Sequence, residues 1–321
     1  MMPPARQSVV PPPSPGEGRG ECKRLTELLP QHASRLAVAL NLDRREARLE
    51  AQILIAHALD VERAWLIAHD RDVLTDAQQN AIESLIARRA SGEPVAYILG
   101  QREFYGRTFK VTPDVLIPRP ETELLVETAL ARLPQDRPAQ ILDLGTGSGC
   151  IAITLNLERP DCLVSAIDAS PPALSLATDN AKLLKAQVEF VLSNWFAALP
   201  PRRYDLIISN PPYIAENDAH LLQGDLPREP RAALASGQDG LEAIRKIIAR
   251  AAAFLAPDGL LILEHGWEQS QQVQTLLSNA GYRVTQSLSD LAGIRRIAIG
   301  AEFSSKSGAP SLHTASHRTH Q

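Results

Sequence analysis

From about residue 120 the chain repeats one pattern. Short apolar runs at 140–144, 163–167, 188–192, 204–209, 260–263, 282–287 and 295–299 are mostly separated by stretches of helical character. Runs of this length, parted by helices, imply βαβ units and a largely parallel sheet covered on both faces. Ligands of such folds bind outside the carboxyl ends of the strands. Pro120 suits the first position of the opening helix, with Glu121 and Glu123 in its first turn, where the helix dipole favours acids. The chemistry is therefore to be sought in the residues that follow each apolar run.

The first run ends in Asp143-Leu144-Gly145-Thr146-Gly147-Ser148-Gly149, and an apolar helical segment follows from Cys150. Glycines let the backbone turn tightly against a ligand, and the helix N-terminus offers N–H groups to it. The dinucleotide fingerprint asks for a third glycine or alanine where Cys150 stands, and the phosphate-binding loop asks for a Gly-Lys-Ser/Thr ending that is absent. Asp168 ends the second run, about 20 residues beyond the loop, where an acid can accept both hydroxyls of a ribose. Dehydrogenases share that acid, so it marks nucleotide binding without choosing the cofactor. Asn194 and Trp195, after the third run, stand where adenine would lie, with an indole available to pack on the base.

The fourth run ends in Asn210-Pro211-Pro212-Tyr213. Two prolines remove N–H donors and fix φ, so the turn is stiff and presents carbonyl oxygens without neighbouring donors. A nitrogen bearing two hydrogens and conjugated to a carbonyl or ring can donate one to the side-chain oxygen of Asn210 and one to the carbonyl of Pro211, with Tyr213 stacked on its flat face.

The rest of the chain is simpler. Residues 1–20 are rich in Pro, Gly and Ser and read as a disordered extension; residues 301–321 read as a disordered, solvated tail, with His313, His317 and His320 unaccompanied by acidic or cysteine ligands. The span 21–92 reads as a small all-helical domain: Asp43 with Glu46 fits a capping box before Leu49, Ile53, Ala56 and Leu59, and Thr75 with Gln78 opens a segment carrying Ile82, Leu85 and Ile86. Residues 93–119 read as a linker in which 104–111 forms a β-hairpin around Gly106, and 120–300 as the α/β domain. Three cysteines, Cys22, Cys150 and Cys162, have no paired spacing, which argues against disulfides and a zinc site. A net charge of −4 gives no overall attraction to a polyanion, and neither a membrane span nor a secretory leader is expected, so the cytoplasm is the expected compartment. His265 reads as a structural strand-end histidine; Arg88, Arg89, Arg202 and Arg203 read as solvated.

Asp143 two residues ahead of three alternating glycines resembles the first motif of class I methyltransferases, and Asn-Pro-Pro-Tyr after the fourth strand resembles the signature shared by adenine N6 and glutamine N5 methyltransferases. The choice between them comes from Gly92-Glu93-Pro94-Val95-Ala96-Tyr97-Ile98-Leu99-Gly100 and Val115-Leu116-Ile117-Pro118-Arg119-Pro120-Glu121-Thr122-Glu123. These segments resemble the linker signatures of the PrmC (HemK) family, which methylates the glutamine of the Gly-Gly-Gln motif in class 1 peptide chain release factors. Glu229-Pro230, Ala233-Leu234, Asp239-Gly240-Leu241 and residues 293–296 extend the likeness over about 25–300.

The resemblance implies a class I methyltransferase fold, Rossmann-like with a largely parallel seven-stranded sheet, preceded by the helical domain. It implies S-adenosyl-L-methionine as cofactor, held by Gly145, Thr146, Gly147, Ser148, Gly149, Asp168, Trp195, Asn210, Asp143 and Thr122, with Glu121 near the methionine end. Asn210, Pro211, Pro212 and Tyr213 would hold the substrate glutamine, with Asn210, Pro211 and Tyr213 catalytic. Release factors would be the protein partner, docked by the helical domain; a monomer without metal, membrane or direct nucleic-acid contact is expected. A ribosomal-protein glutamine methyltransferase differs from this pattern in its N-terminal region. An adenine-modifying enzyme calls for a base-recognition domain and a basic groove. A non-catalytic nucleotide-binding module has no use for paired acceptors opposite a methyl donor.

Overall fold

The structure, a computed structural model, describes residues 23–303. The extension expected at 1–20, Cys22 and the tail beyond 303 lie outside the described residues. The chain divides into two units, Met1–Ser91 and Gly92–Gln321.

The first unit is helical, with α1 (Leu25–Leu40), α2 (Arg44–Leu59), α3 (Arg63–Ala68) and α4 (Asp76–Ala90). Asp43 caps α2 by accepting the N–H groups of Arg45 and Glu46 at 2.7 and 2.9 Å. Thr75 and Gln78 form the reciprocal box at the start of α4. The buried stripe of α2 is Ala47, Ala51, Leu54, Ile55 and Ala56, and Leu49 is 40% exposed, which corrects the expected stripe. Alanines on that face let α1 and α4 approach closely, and the larger Leu49 is turned out. Arg89 also departs from expectation: it is buried, and its guanidinium forks onto both carboxylate oxygens of Glu50 at 2.8 and 3.0 Å. A buried arginine requires such a bidentate partner.

The second unit opens with α5 (Val95–Leu99) and a hairpin of β1 (Gln101–Phe104) and β2 (Arg107–Lys110). The hairpin starts at 101 rather than 104, because Tyr105 and Gly106 at φ 51° and 69° form its two-residue turn and Phe104 faces Arg107. Pro120 opens a single 3-10 turn, Pro120–Thr122, and α6 (Glu123–Leu130) begins only at Glu123. Then come β3 (Gln140–Leu144), α7 (Cys150–Glu158), β4 (Leu163–Asp168), α8 (Pro171–Leu184), β5 (Val188–Leu192), β6 (Tyr204–Ser209), α9 (Arg231–Leu234), α10 (Glu242–Ala251), β7 (Leu255–Glu264), α11 (Ser270–Asn279), β8 (Tyr282–Ser289) and β9 (Arg295–Phe303). The seven strands stand in the order β5-β4-β3-β6-β7-β9-β8; β9 alone runs antiparallel to both of its neighbours. Ala301 pairs with Leu260 and Phe303 with Tyr282, so residues 301–303 belong to the sheet and not to the tail.

The period of two along each strand divides the apolar residues between two cores. Ile141, Val164, Leu206, Ile208 and Ile262 pack with Leu125, Ile153 and Leu155 on one face. Leu142, Leu144, Ile207, Leu261 and Leu263 pack with Ile244, Ile247 and Leu277 on the other. This is the class I methyltransferase architecture. β3 lies between β4 and β6, so the strand order reverses at the β3–β6 pair, and a crevice opens there at the carboxyl ends.

Candidate active site

The glycine loop leaves β3 and the Asn-Pro-Pro-Tyr turn leaves β6, so adjacent strands bring together segments about 65 residues apart, and Ser209 Oγ ties them by donating to the Leu144 carbonyl at 2.6 Å. Gly145, Gly147 and Gly149 have φ of 74°, 55° and 83°, in the left-handed region where side chains are strained. A side chain on Gly149 would also meet Ile153 at 2.8 Å. The N–H groups of Gly145 and Thr146 both donate to the Ile167 carbonyl at 2.9 Å, which pins the loop to the end of β4.

Asp168 stands at that end. Its two carboxylate oxygens accept from the N–H groups of Gly147 and Ser170, both at 2.9 Å. It lines a cavity of about 380 Å³ together with Gly145, Ser148, Trp195, Pro212 and Thr122. That size falls within the roughly 300–1,000 Å³ of small-molecule sites. The Trp195 ring packs over Gly145, 3.6 Å from where a Cβ would stand, and Asn194 joins it on the wall.

Asp143 is placed differently from what the resemblance implied. It is fully buried beneath the loop and is absent from the cavity wall; its carboxyl accepts the Thr146 hydroxyl at 2.6 Å. Burial pushes its pKa up to about 7, against the pull of that hydrogen bond. It braces the loop from below. A carboxyl whose folded pKa exceeds its unfolded one binds more protons in the native state, so the stability it confers is full below about pH 4 and is lost as pH rises toward 7. The melting temperature of the wild type is therefore expected to fall, relative to that of Asp143→Asn, between about pH 4 and 7; parallel profiles from thermal melts would contradict this.

A second, wider cavity of about 1140 Å³ is lined by Pro211, Tyr213, Glu264 and Trp267, and Asn210 lies on the walls of both. Asn210 Nδ2 donates to the buried Thr122 hydroxyl oxygen at 3.0 Å, and among the described residues no hydrogen bond engages its Oδ1. The turn beyond it is fixed at three points. Tyr213 donates its hydroxyl to Glu264 Oε1 at 3.3 Å, and its carbonyl accepts from Gln269 Nε2 at 2.8 Å. Gly240, at φ 75°, lies so close that a side chain there would overlap the Tyr213 carbonyl. Burial, foremost, and the Glu264 carboxyl hold the Tyr213 hydroxyl protonated well above its ordinary range.

Three contributors lie beyond what the sequence reading assigned. Asn180, fully buried on α8, accepts the Lys110 N–H at 2.8 Å and donates to the carbonyls of Lys110 and Ser148 at 3.0 and 2.9 Å, joining the hairpin to the glycine loop. Glu229 accepts the Ile117 N–H at 3.0 Å and pairs with Arg119, a residue on both cavity walls. Glu264 ends β7 beside the turn. The signal for Asn180 was a polar residue among the buried alanines of α8. For Glu264 it was an acid directly after an apolar run.

The remaining candidates have structural roles. His265 is fully buried, its Nδ1 at 2.9 Å from the Gly266 carbonyl, and burial lowers its pKa. Arg202 pairs with Glu189 at 2.6 Å, and Arg203 donates to the carbonyls of Ala252 and Leu255 at 3.4 and 3.1 Å, so neither is merely solvated. Among the described residues, no helix is long and apolar enough to cross a membrane, and no three His, Cys, Asp or Glu gather as a metal site.

Residues 24–100 match the family model described as the PrmC N-terminal domain, and 120–238 that of the methyltransferase small domain. The release factor glutamine methyltransferase of Bordetella pertussis is 52% identical over 254 residues, 79% of this chain and 94% of that protein. That of Burkholderia pseudomallei is 48% identical over 86% of this chain and 98% of its own, and that of Escherichia coli 42% over 85% and 99%.

Proposed function

The chain belongs to the release factor glutamine methyltransferase family, and from that membership we propose that it transfers a methyl group from S-adenosyl-L-methionine to the side-chain amide nitrogen of the glutamine in the Gly-Gly-Gln motif of peptide chain release factors. The observation that carries the reading is Asn210 on the common wall of two cavities, its amide N–H already committed to Thr122 and its oxygen left over.

The narrow cavity fits the cofactor. It combines a glycine loop with room for close approach, an acid at the strand end for ribose hydroxyls, and an indole face for a base. When bound, the cofactor supplies a methyl group on a positively charged sulfur. Gly145, Thr146, Gly147, Ser148, Gly149, Asp168 and Trp195 hold it on this reading, and Thr122 acts through Asn210.

The glutamine enters from the wide cavity, whose size suits a peptide loop. Its nitrogen is a poor nucleophile because the lone pair is delocalised, as the amide rotation barrier of roughly 18–20 kcal/mol attests. Asn210 Oδ1 and the Pro211 carbonyl accept its two hydrogens, which draws density onto nitrogen and aims it at the narrow cavity. Tyr213 packs against the flat amide. Holding two reactants in register supplies about 7–11 kcal/mol of the acceleration, so an obligatory side-chain base is not needed: the nitrogen gives up one of its two protons to water once the methyl group has moved, which leaves a neutral N-methyl amide. The helical unit docks the release factor, and the protein works as a cytoplasmic monomer.

The test offers the protein methyl-labelled cofactor with a release factor, with its glutamine-to-glutamate variant, or with DNA. Label is expected on the first alone, because two fixed acceptors repel a carboxylate and leave its oxygens unpaired, a mismatch of a kind that costs about 10⁴-fold or more. Label on DNA, or on the glutamate variant at a comparable rate, overturns the substrate assignment.

A further inference from the structure

The glycine loop is anchored from several directions. The N–H groups of Gly145 and Thr146 reach the end of β4, the Thr146 hydroxyl reaches Asp143 beneath, and the Gly147 N–H reaches Asp168. A further anchor comes from α8, where Asn180 Nδ2 donates to the Ser148 carbonyl at 2.9 Å. The others stay within the strands that build the narrow cavity. This one leads out of it, because the same Nδ2 donates to the Lys110 carbonyl at 3.0 Å and Oδ1 accepts the Lys110 N–H at 2.8 Å.

The three contacts allow Asn180 a single orientation. Its two hydrogens face two carbonyls and its oxygen faces an N–H, so turning the amide over would oppose like groups at every contact. At 0% exposure no water can stand in for a lost partner. α8 is also pressed against the loop: a Cβ on Gly149 would lie 3.2 Å from that of Ala177, one turn before Asn180. Gly147 and Ser148 line the narrow cavity, and Lys110 ends β2 of the hairpin. The loop cannot shift against α8 without breaking the Ser148 bond, nor can β2 without breaking those to Lys110.

We propose that Asn180 is a positioning residue for the cofactor: it makes the hairpin and the glycine loop one rigid piece, so that the affinity of the narrow cavity for S-adenosyl-L-methionine depends on a hairpin outside it. The inference rests on the reading of that cavity as the cofactor site. Such coupling is reciprocal, so a ligand that settles on the loop also steadies the hairpin.

Calorimetric Kd values for S-adenosyl-L-methionine test this in the full chain, with the fold of each variant checked by circular dichroism. Asn180→Ala is expected to raise Kd by about 10-fold or more, a size typical of coupled sites. Asn180→Asp keeps the shape and an acceptor for the Lys110 N–H but offers no N–H to either carbonyl, and is expected to raise Kd similarly. Asn156→Ala is the control. Asn156 is also buried and accepts the Gln187 N–H at 2.7 Å, but it lines neither cavity, so its loss should lower the melting temperature and leave Kd unchanged. Gly106→Val strains the hairpin turn at φ 69°; it is expected to raise Kd in the wild type and to add nothing in Asn180→Ala. Hydrogen exchange in the wild type reads the coupling from the other end, since saturation with the cofactor should slow exchange of the Lys110 N–H by about 10-fold. Unchanged Kd in folded Asn180 variants, an equal loss in Asn156→Ala, or Lys110 exchange indifferent to the cofactor would each overturn the proposal. A wild type that binds no S-adenosyl-L-methionine overturns the cofactor reading as well, whereas tight binding by the wild type with unchanged Kd in the variants sinks the role of Asn180 alone.

Discussion

Replacing Asn210 by Ala is expected to lower kcat by about 10³-fold or more while cofactor affinity stays near that of the wild type. The size follows from what the side chain supplies. Loss of a single preorganised polar partner at a reacting group costs about 10²–10³-fold, and Asn210 is also half of the pair that orients the nitrogen, so misalignment adds to the loss. Its Nδ2 is bound to Thr122 at 3.0 Å, and the truncation leaves that buried hydroxyl without its donor. The glycine loop, Asp168 and Trp195 are untouched, which is why binding of the cofactor should persist. Single-turnover rates with a release factor and calorimetric titration of the cofactor separate the two effects. A variant with wild-type turnover would remove Asn210 from the chemistry.

The second large effect is expected at Asp168. Asp168→Ala should weaken cofactor binding by about 10²-fold or more, because hydrogen bonds to a charged acceptor contribute roughly 1.5–3 kcal/mol each, and a ribose would place two of them here. The same carboxylate holds the N–H groups of Gly147 and Ser170 at 2.9 Å, so the loop loses its brace as well. Asp168→Asn keeps the shape but not the charge and should fall between. An unchanged Kd in Asp168→Ala, measured by calorimetry, would contradict the part assigned to this residue.

The features legible in the sequence were those dictated by local rules. Three glycines at alternate positions, an acid at a strand end and two consecutive prolines each constrain their own backbone, so the loop, Asp168 and the Asn-Pro-Pro-Tyr turn could be placed before any contact was known. The periodicity located all seven strands of the sheet but not all of their ends: β7 begins at Leu255, five residues before the apolar run at 260–263, and crosses Pro257, Asp258 and Gly259. What stayed hidden depends on partners distant in the chain. Glu229 meets Ile117 across 112 residues and Asn210 meets Thr122 across 88. No window of sequence contains both members of such a pair. Asp143 shows the converse: a residue next to the glycine loop in sequence lies under it in space, with the Thr146 hydroxyl closed over its carboxyl.

The most direct test of the paired-acceptor arrangement is a crystal structure of the protein with the cofactor product and a peptide carrying the Gly-Gly-Gln sequence. Asn210 Oδ1 and the Pro211 carbonyl are expected within about 3.2 Å of the glutamine nitrogen, with that nitrogen turned toward the narrow cavity. A glutamine bound with its carbonyl toward Asn210, or lying outside the reach of both oxygens, would contradict the account.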